Sequence, residues 1–199
     1  MQFITDCEGP ISKNDNALEL VENFLPEGEK FFTQLSRYDD FLALTGREGY
    51  EAGDTLRLIL PFLKAYGATD EKIVEYSRKN ILLMPGAKET LRFVQKRMAS
   101  FIVSTSYKPY VRALCEVIRF PLENVYCTEL NIDKYNLSGR EIEKIKELGR
   151  EISAYPLIEV SEIDDLTRET RKVIDRLEVI FWKEIVSMDC LLYTSDAAD

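Results

Sequence analysis

Histidine is absent from this chain. Its absence removes Ser-His-Asp and Cys-His triads, His-based zinc sites and imidazole acid–base chemistry. Any catalysis must run on carboxylates, hydroxyls, Lys, Arg or a hard metal held by oxygen. Cysteine is sparse: Cys7, Cys115, Cys127 and Cys190 stand far apart and form no C-x-x-C pair. A metal knuckle or redox dithiol is therefore not expected. Scattered thiols without an export signal point to a reducing, cytoplasmic setting. No apolar run approaches the roughly 20 residues that a membrane span needs, so no membrane insertion is expected. Blocks of Lys or Arg are missing too. Acidic residues outnumber basic ones 35 to 26, for a formal charge of −9. A nucleic-acid partner is not expected of such a chain, since phosphate neutralisation needs clustered cations.

What remains is a chain of 199 residues, 45% hydrophobic and 31% charged, apolar enough to build a globular core. Residues 2–5 read as a short strand that ends at Asp6, before the break at Gly9-Pro10. Leu18, Val21 and Leu25 recur at helical spacing, and a second helix is expected over residues 29–36. Asp54 is placed to cap a third helix, which Pro61 should bend or shift, and Thr69 is placed to cap a fourth. Residues 15–80 thus read as a helical block. After it come a helix with Leu91, Val94 and Met98 on one face, a β-branched run at Phe101-Ile102-Val103 ending in Ser104, a helix through Val111, Leu114 and Ile118, and a strand at Val125-Tyr126-Cys127. Strand, helix, strand at this spacing is a βαβ unit with a parallel sheet. The first strand can join that sheet only if the helical block is an insertion.

Two further segments complete the chain. Residues 136–189 read as a charged, helical extension or second insertion, in which Phe181 and Trp182 are expected in the core. Arg47, Glu48 and Arg57 read as a solvated surface of the helical block. Residues 190–199 lose this charge texture and resemble a translated sequencing adapter. They are set aside as an artefactual tail, and the natural chain is expected to continue past Asp189, leaving the C-terminal part of the core truncated.

Ligands in open parallel sheets bind beyond the carboxyl ends of the strands. Asp6 and Ser104 both fall at such ends. Glu8, two residues past Asp6, can swing its carboxylate to the same side. Two acids there can divide the work, one as nucleophile and one as proton shuttle. A carboxylate oxygen with a main-chain carbonyl can begin a magnesium site. Cys7, between the acids, has no base to activate it and reads as a packing residue. Ser104 can also serve as a cap for the helix after it.

The stretch Asp6-Cys7-Glu8-Gly9-Pro10-Ile11 resembles the first motif of the haloacid dehalogenase (HAD) superfamily, an apolar strand followed by D-x-D-x-T/V-L/I. Phe101-Ile102-Val103-Ser104 resembles its second motif. Met84-Pro85-Gly86-Ala87 and the helical block resemble the phosphoserine-phosphatase-like branch, over roughly residues 1–130. The resemblance implies a three-layer Rossmann-like core from residues 1–14 and 81–135, with residues 15–80 as an inserted helical cap. It also implies a Mg-dependent phosphomonoester hydrolase acting on a small phosphorylated metabolite. Asp6 would be the nucleophile that forms an aspartyl-phosphate, and Glu8 the acid and base. Ser104, helped by the Thr105 amide, would bind the phosphoryl oxygens, with magnesium on the Asp6 carboxylate and the Glu8 carbonyl.

The chain departs from the pattern in three ways. Position 8 is Glu where phosphatases of the family have Asp, Pro10 replaces a variable residue, and no third-motif Lys or fourth-motif acidic cluster is evident. Asp164-Asp165, with Lys144 or Lys146 upstream, is the best internal stand-in, although Asp165 reads better as a helix start. The alternative function is a non-catalytic HAD-like accessory subunit of a larger complex, of the kind found in archaeal energy-converting hydrogenases.

Overall fold

Three short strands run parallel in the computed structural model, which describes residues 1–47, 50, 54–159 and 166–188. Their order is β1 (Gln2–Thr5), β2 (Ala99–Tyr107), β3 (Val125–Thr128). Thr5 pairs with Ile102, and Val103 with Tyr126. Parallel neighbours need a long crossover. Between β2 and β3 this is α6 (Lys108–Ile118). Between β1 and β2 the chain makes α1 (Asn16–Phe24), α2 (Gly28–Thr45), α3 (Thr55–Ala65), α4 (Asp70–Asn80) and α5 (Ala87–Gln95). After β3 come α7 (Gly139–Ala154) and α8 (Arg168–Val179), which continues as a π-helical turn at Ile180–Ile185. The class is α/β. No helix among the described residues is long and apolar enough to cross a membrane.

The chain divides into two compact units. The first comprises Met1–Leu20 and Thr69–Asn131, the second Val21–Ala68 and Ile132–Asp199. In the first unit Ala87, Leu91, Val111, Leu114, Cys115 and Ile118 bury against Ile102 and Cys7 in one cluster. Only one face of the sheet is covered in this way. Ile4, Val103 and Tyr126, on the other, are 60%, 48% and 61% exposed. Among the described residues, then, this unit has a sheet and one helical layer rather than the three layers expected. Helix α4 packs on α6, so residues 70–80 sit with the sheet and not with the preceding helices. Its N-terminus is capped as the sequence suggests, the Thr69 hydroxyl accepting from Lys72 N–H.

The second unit packs α2, α3 and α7 together, with Phe31, Phe62 and Phe181 in edge-to-face contact at centroid distances of 4.7 and 6.1 Å. The described residues of 132–188 cluster with those of 21–68. Gln34 clamps the segment after α7, donating to Pro156 carbonyl at 3.2 Å and accepting from Ile158 N–H at 3.1 Å. Gly28 is obligatory: a Cβ there would lie 2.5 Å from Glu22 Cα.

Several local expectations change. Helix α2 runs on to Thr45 because Tyr38 and Leu42 extend its buried face, and Gly46 ends it at φ +64°. Helix α3 runs through Pro61. Asp54 precedes it in a helical conformation and caps no N–H; instead its carboxylate pairs with Arg57 at 3.2 Å. Arg47 is not a solvated surface group. It lies 4.3 Å over the Trp182 ring and pairs with Glu178, whose other oxygen accepts from Tyr38. Phe181 is fully buried as expected, while Trp182 is half-buried. Glu48, Asp164, Asp165 and the tail at 190–199 lie outside the described residues. Helix α8 starts from Thr167, whose hydroxyl accepts from Thr170 N–H.

Candidate functional site

The first strand ends at Thr5 and the chain turns at once. Cys7 is fully buried in the cluster beneath the sheet, which anchors the strand end and leaves Asp6 exposed above it. Burial pushes the Cys7 thiol far above its ordinary value, so it is a packing group. The Asp6 carboxylate accepts from Cys7 N–H at 2.5 Å. Beyond it, Ile11 N–H and Ser12 N–H both donate to the Cys7 carbonyl, and Gly9 N–H donates to the Ser12 carbonyl at 2.8 Å. Gly9 takes φ +90°, a conformation an L side chain resists.

This loop is pinned on three sides. The Ser12 and Tyr110 hydroxyls meet at 2.6 Å in the interior. Met84 N–H donates to the Ile11 carbonyl, and Lys13 N–H to the Leu82 carbonyl. The Asn14 amide donates to Glu19 and to the Asn80 carbonyl and accepts from Leu82 N–H. A rigid loop fixes where residue 8 can place its carboxylate.

Glu8 is half-buried. One carboxylate oxygen accepts from Asn16 N–H at 3.0 Å, at the start of α1, where the helix dipole favours negative charge. The Ser106 side chain lies near enough to Glu8 to favour its ionised form. Ser106 in turn accepts from the Ser104 hydroxyl at 3.1 Å, and its own N–H donates back to Ser104 Oγ at 3.2 Å. Ser104, Ser106 and Glu8 thus gather in one place. Burial pushes the Glu8 carboxyl above its ordinary value. The Asn16 N–H and the Ser106 hydroxyl pull it back, and the charges of Asp15 and Asp6 push it up further.

Ser106 was not among the residues the sequence singled out, although a signal existed. Ser104 and Ser106 share one strand face by the period of two. What concealed it was the strand's length. β2 does not stop at residue 104 but continues to Tyr107 through a shift in pairing between Val103 and Tyr107. Hence Ser104 caps no helix: α6 begins at Lys108, with Tyr107 before it and Pro109 in its first turn. Thr105 is exposed in this irregular stretch, and its carbonyl accepts from the Thr128 hydroxyl at 2.6 Å.

Asn16 was also missed. It is 1% exposed, and among the described residues neither atom of its amide finds a partner.

The geometry sets Ser106, hydrogen-bonded to Ser104, near Glu8. By register it sets Asp6 one residue past the last β1–β2 pair and Ser104 two past it. Lys144 and Lys146 belong to the second unit. They lie on α7, where Lys144 pairs with Glu184 at 3.1 Å and Lys146 with Glu143 at 3.4 Å. Among the described residues no group of three His, Cys, Asp or Glu could hold a metal. The Asp6 carboxylate and Glu8 carbonyl are hard oxygens. Such a donor set fits magnesium, which keeps several waters and takes only one or two carboxylates.

These features define an α/β chain with an acid and hydroxyl cluster at the carboxyl ends of parallel strands. No family model and no curated protein matches the chain. The solved structure of gene product AF1437 from Archaeoglobus fulgidus is similar, at 31% identity and a TM-score of 0.73 over 88% of this chain. The chain spans 56% of that protein's length.

Proposed function

We propose that this chain carries the nucleophile half of a phosphomonoester hydrolase of the HAD type, acting on a small phosphorylated metabolite. The observation that carries the reading is the grouping of Glu8, Ser104 and Ser106 beside Asp6, at the carboxyl ends of β1 and β2. Asp6 has no cationic partner among the described residues, as a nucleophile awaiting substrate requires.

In the first step an Asp6 carboxylate oxygen attacks phosphorus. The bond from phosphorus to the leaving oxygen breaks, and that oxygen takes the Glu8 proton. A carboxyl raised by burial suits an acid that must still hold its proton near neutrality. In the second step water attacks the aspartyl-phosphate, Glu8 accepts the water's proton, and the Asp6 carboxylate leaves. The Ser104 hydroxyl and the Thr105 N–H hold phosphoryl oxygens. Magnesium, held by the Asp6 carboxylate and the Glu8 carbonyl, supplies neutralisation of charge between two anions.

The test is hydrolysis of p-nitrophenyl phosphate with magnesium by the product of the uninterrupted reading frame, beside its Asp6→Asn variant. Activity present in the parent and lost in the variant supports the reading. Activity retained in the variant removes the nucleophile.

A second reading rests on one observation: Glu8 is one methylene longer than Asp and is engaged at the start of α1. A carboxylate committed there suits a non-catalytic accessory subunit of a larger complex, such as an energy-converting hydrogenase. That reading expects co-purification with a complex and no turnover.

A further inference from the structure

After the turn at Gly9, every second residue from 12 to 16 carries a buried polar side chain: Ser12, Asn14 and Asn16. Two of the three are matched. The Ser12 hydroxyl meets that of Tyr110 at 2.6 Å. The Asn14 amide donates to Glu19 and to the Asn80 carbonyl and accepts from Leu82 N–H. Asn16 is the exception. Among the described residues, the buried side-chain nitrogen and oxygen atoms left without a partner are the two of its amide. A buried donor and acceptor left unmatched cost their full desolvation, which an apolar side chain of similar volume avoids. In a loop that matches its other buried polar groups so closely, such an amide asks for an explanation.

The position of Asn16 selects the partner. Its backbone N–H donates to a Glu8 carboxylate oxygen at 3.0 Å, so its side chain branches beside the acid that hands a proton to the leaving oxygen in the reading above. The charges of Asp6 and Asp15 act on Glu8 at the same place. A second anionic group is repelled by these three acids. A cationic group accepts nothing, so the Asn16 Nδ2 donor stays unmatched against it. A neutral group that both donates and accepts, a hydroxyl or a carboxamide, answers both amide atoms. We infer that Asn16 is a specificity-determining residue: on ligand binding its amide turns out of its buried seat and pairs with a hydroxyl or carboxamide on the leaving alcohol, so that the substrates are phosphomonoesters of neutral, polar alcohols. The inference rests on the phosphatase reading for the place of the leaving oxygen beside Glu8. A site that pairs such a group rejects the analogue lacking it, because the amide then stays unmatched.

The experiment uses the protein of the phosphatase assay with glycerol 2-phosphate and phenyl phosphate, esters with and without hydroxyls on the leaving group. Binding is read by NMR in the Asp6→Asn variant, so that no ester is consumed. The Asn16 side-chain amide resonances should move on titration with glycerol 2-phosphate and magnesium, and stay in place with phenyl phosphate. With Asp6 restored, Asn16→Leu should lower the ratio of kcat/KM for glycerol 2-phosphate over phenyl phosphate at least tenfold. Asn16→Ala, which adds no bulk, should lower it likewise. Equal movement with both esters, movement with neither, or an unchanged ratio in the two variants overturns the inference. Hydrolysis of both esters by the parent with the amide unmoved defeats the inference alone. Movement with glycerol 2-phosphate and hydrolysis of neither ester defeats the phosphatase reading and upholds the seat for a polar alcohol.

Discussion

The two units spend their polar groups in opposite ways. In the second unit charges are matched to one another. Arg176 takes Glu151 through two nitrogens at 2.7 and 2.8 Å and also meets Glu184, while Arg47 meets Glu178. Tyr50 donates to the buried Asp39 at 2.5 Å. These networks hold helices in register and leave little to do chemistry. In the first unit the loop after β1 is equally well pinned, but by backbone and neutral side chains. Among the described residues Asp6 and Glu8, the two acids it presents, have no cation and the Asn16 amide has no partner. This contrast is what motivates the site proposed above.

The largest expected effect sharpens that contrast. Asp6→Asn should lower phosphatase turnover by about 10³-fold or more. It should leave urea stability within about 0.5 kcal/mol, because the side chain is exposed. A large loss of stability would place Asp6 with the structural charges instead. Phe62→Ala, in the aromatic cluster of the second unit, should cost about 3–5 kcal/mol in the same denaturation experiment. Gly28→Ala should cost about 1–3 kcal/mol, since the new Cβ meets backbone that cannot yield. Ser106→Ala should reduce turnover roughly tenfold. It also removes a side chain that favours ionised Glu8, so the Glu8-controlled limb of the pH profile should move to higher pH.

The smallest effect concerns stability. Burial raises the folded-state pKa of Glu8 above its unfolded value. Its contribution to stability is therefore full below the unfolded pKa and is lost as pH rises through the folded one. Glu8→Gln should melt at a higher temperature than the parent at neutral pH and at the same temperature in acid, as read from melting curves at the two pH values. A variant less stable at neutral pH would show that the charge is held comfortably.

Much of this contrast was legible before any coordinates. Thr69 was recognisable as a cap because its role needs only local backbone. The three strands were found because β-branched and apolar runs carry their own signal. The assignment of α4 was not legible: Tyr76, Ser77 and Arg78 do not announce that their helix packs on α6 rather than on the helices before it. Nor was the grouping of α7 and α8 with α2 and α3, which rests on rings more than 100 residues apart in sequence, such as Phe62 and Phe181. At the site, Asp6, Glu8 and Ser104 could be read from pattern. Ser106 was concealed: its two-residue spacing from Ser104 was visible, but the polar stretch from Ser104 to Tyr107 reads as a strand end, and only pairing with β3 keeps it in the sheet. Asn16 was hidden because a missing partner has no sequence signature.

The most direct measurement is an NMR titration of the amide resonances with orthophosphate in the presence of magnesium, which requires binding but no turnover. The amides of residues 6–9 and of residues 104–106 should shift together, along one saturation curve, and Asp6→Ala should leave the second set responsive while removing shifts in the first. Silence in both segments, or saturation of only one of them in the parent protein, would contradict a shared phosphoryl pocket.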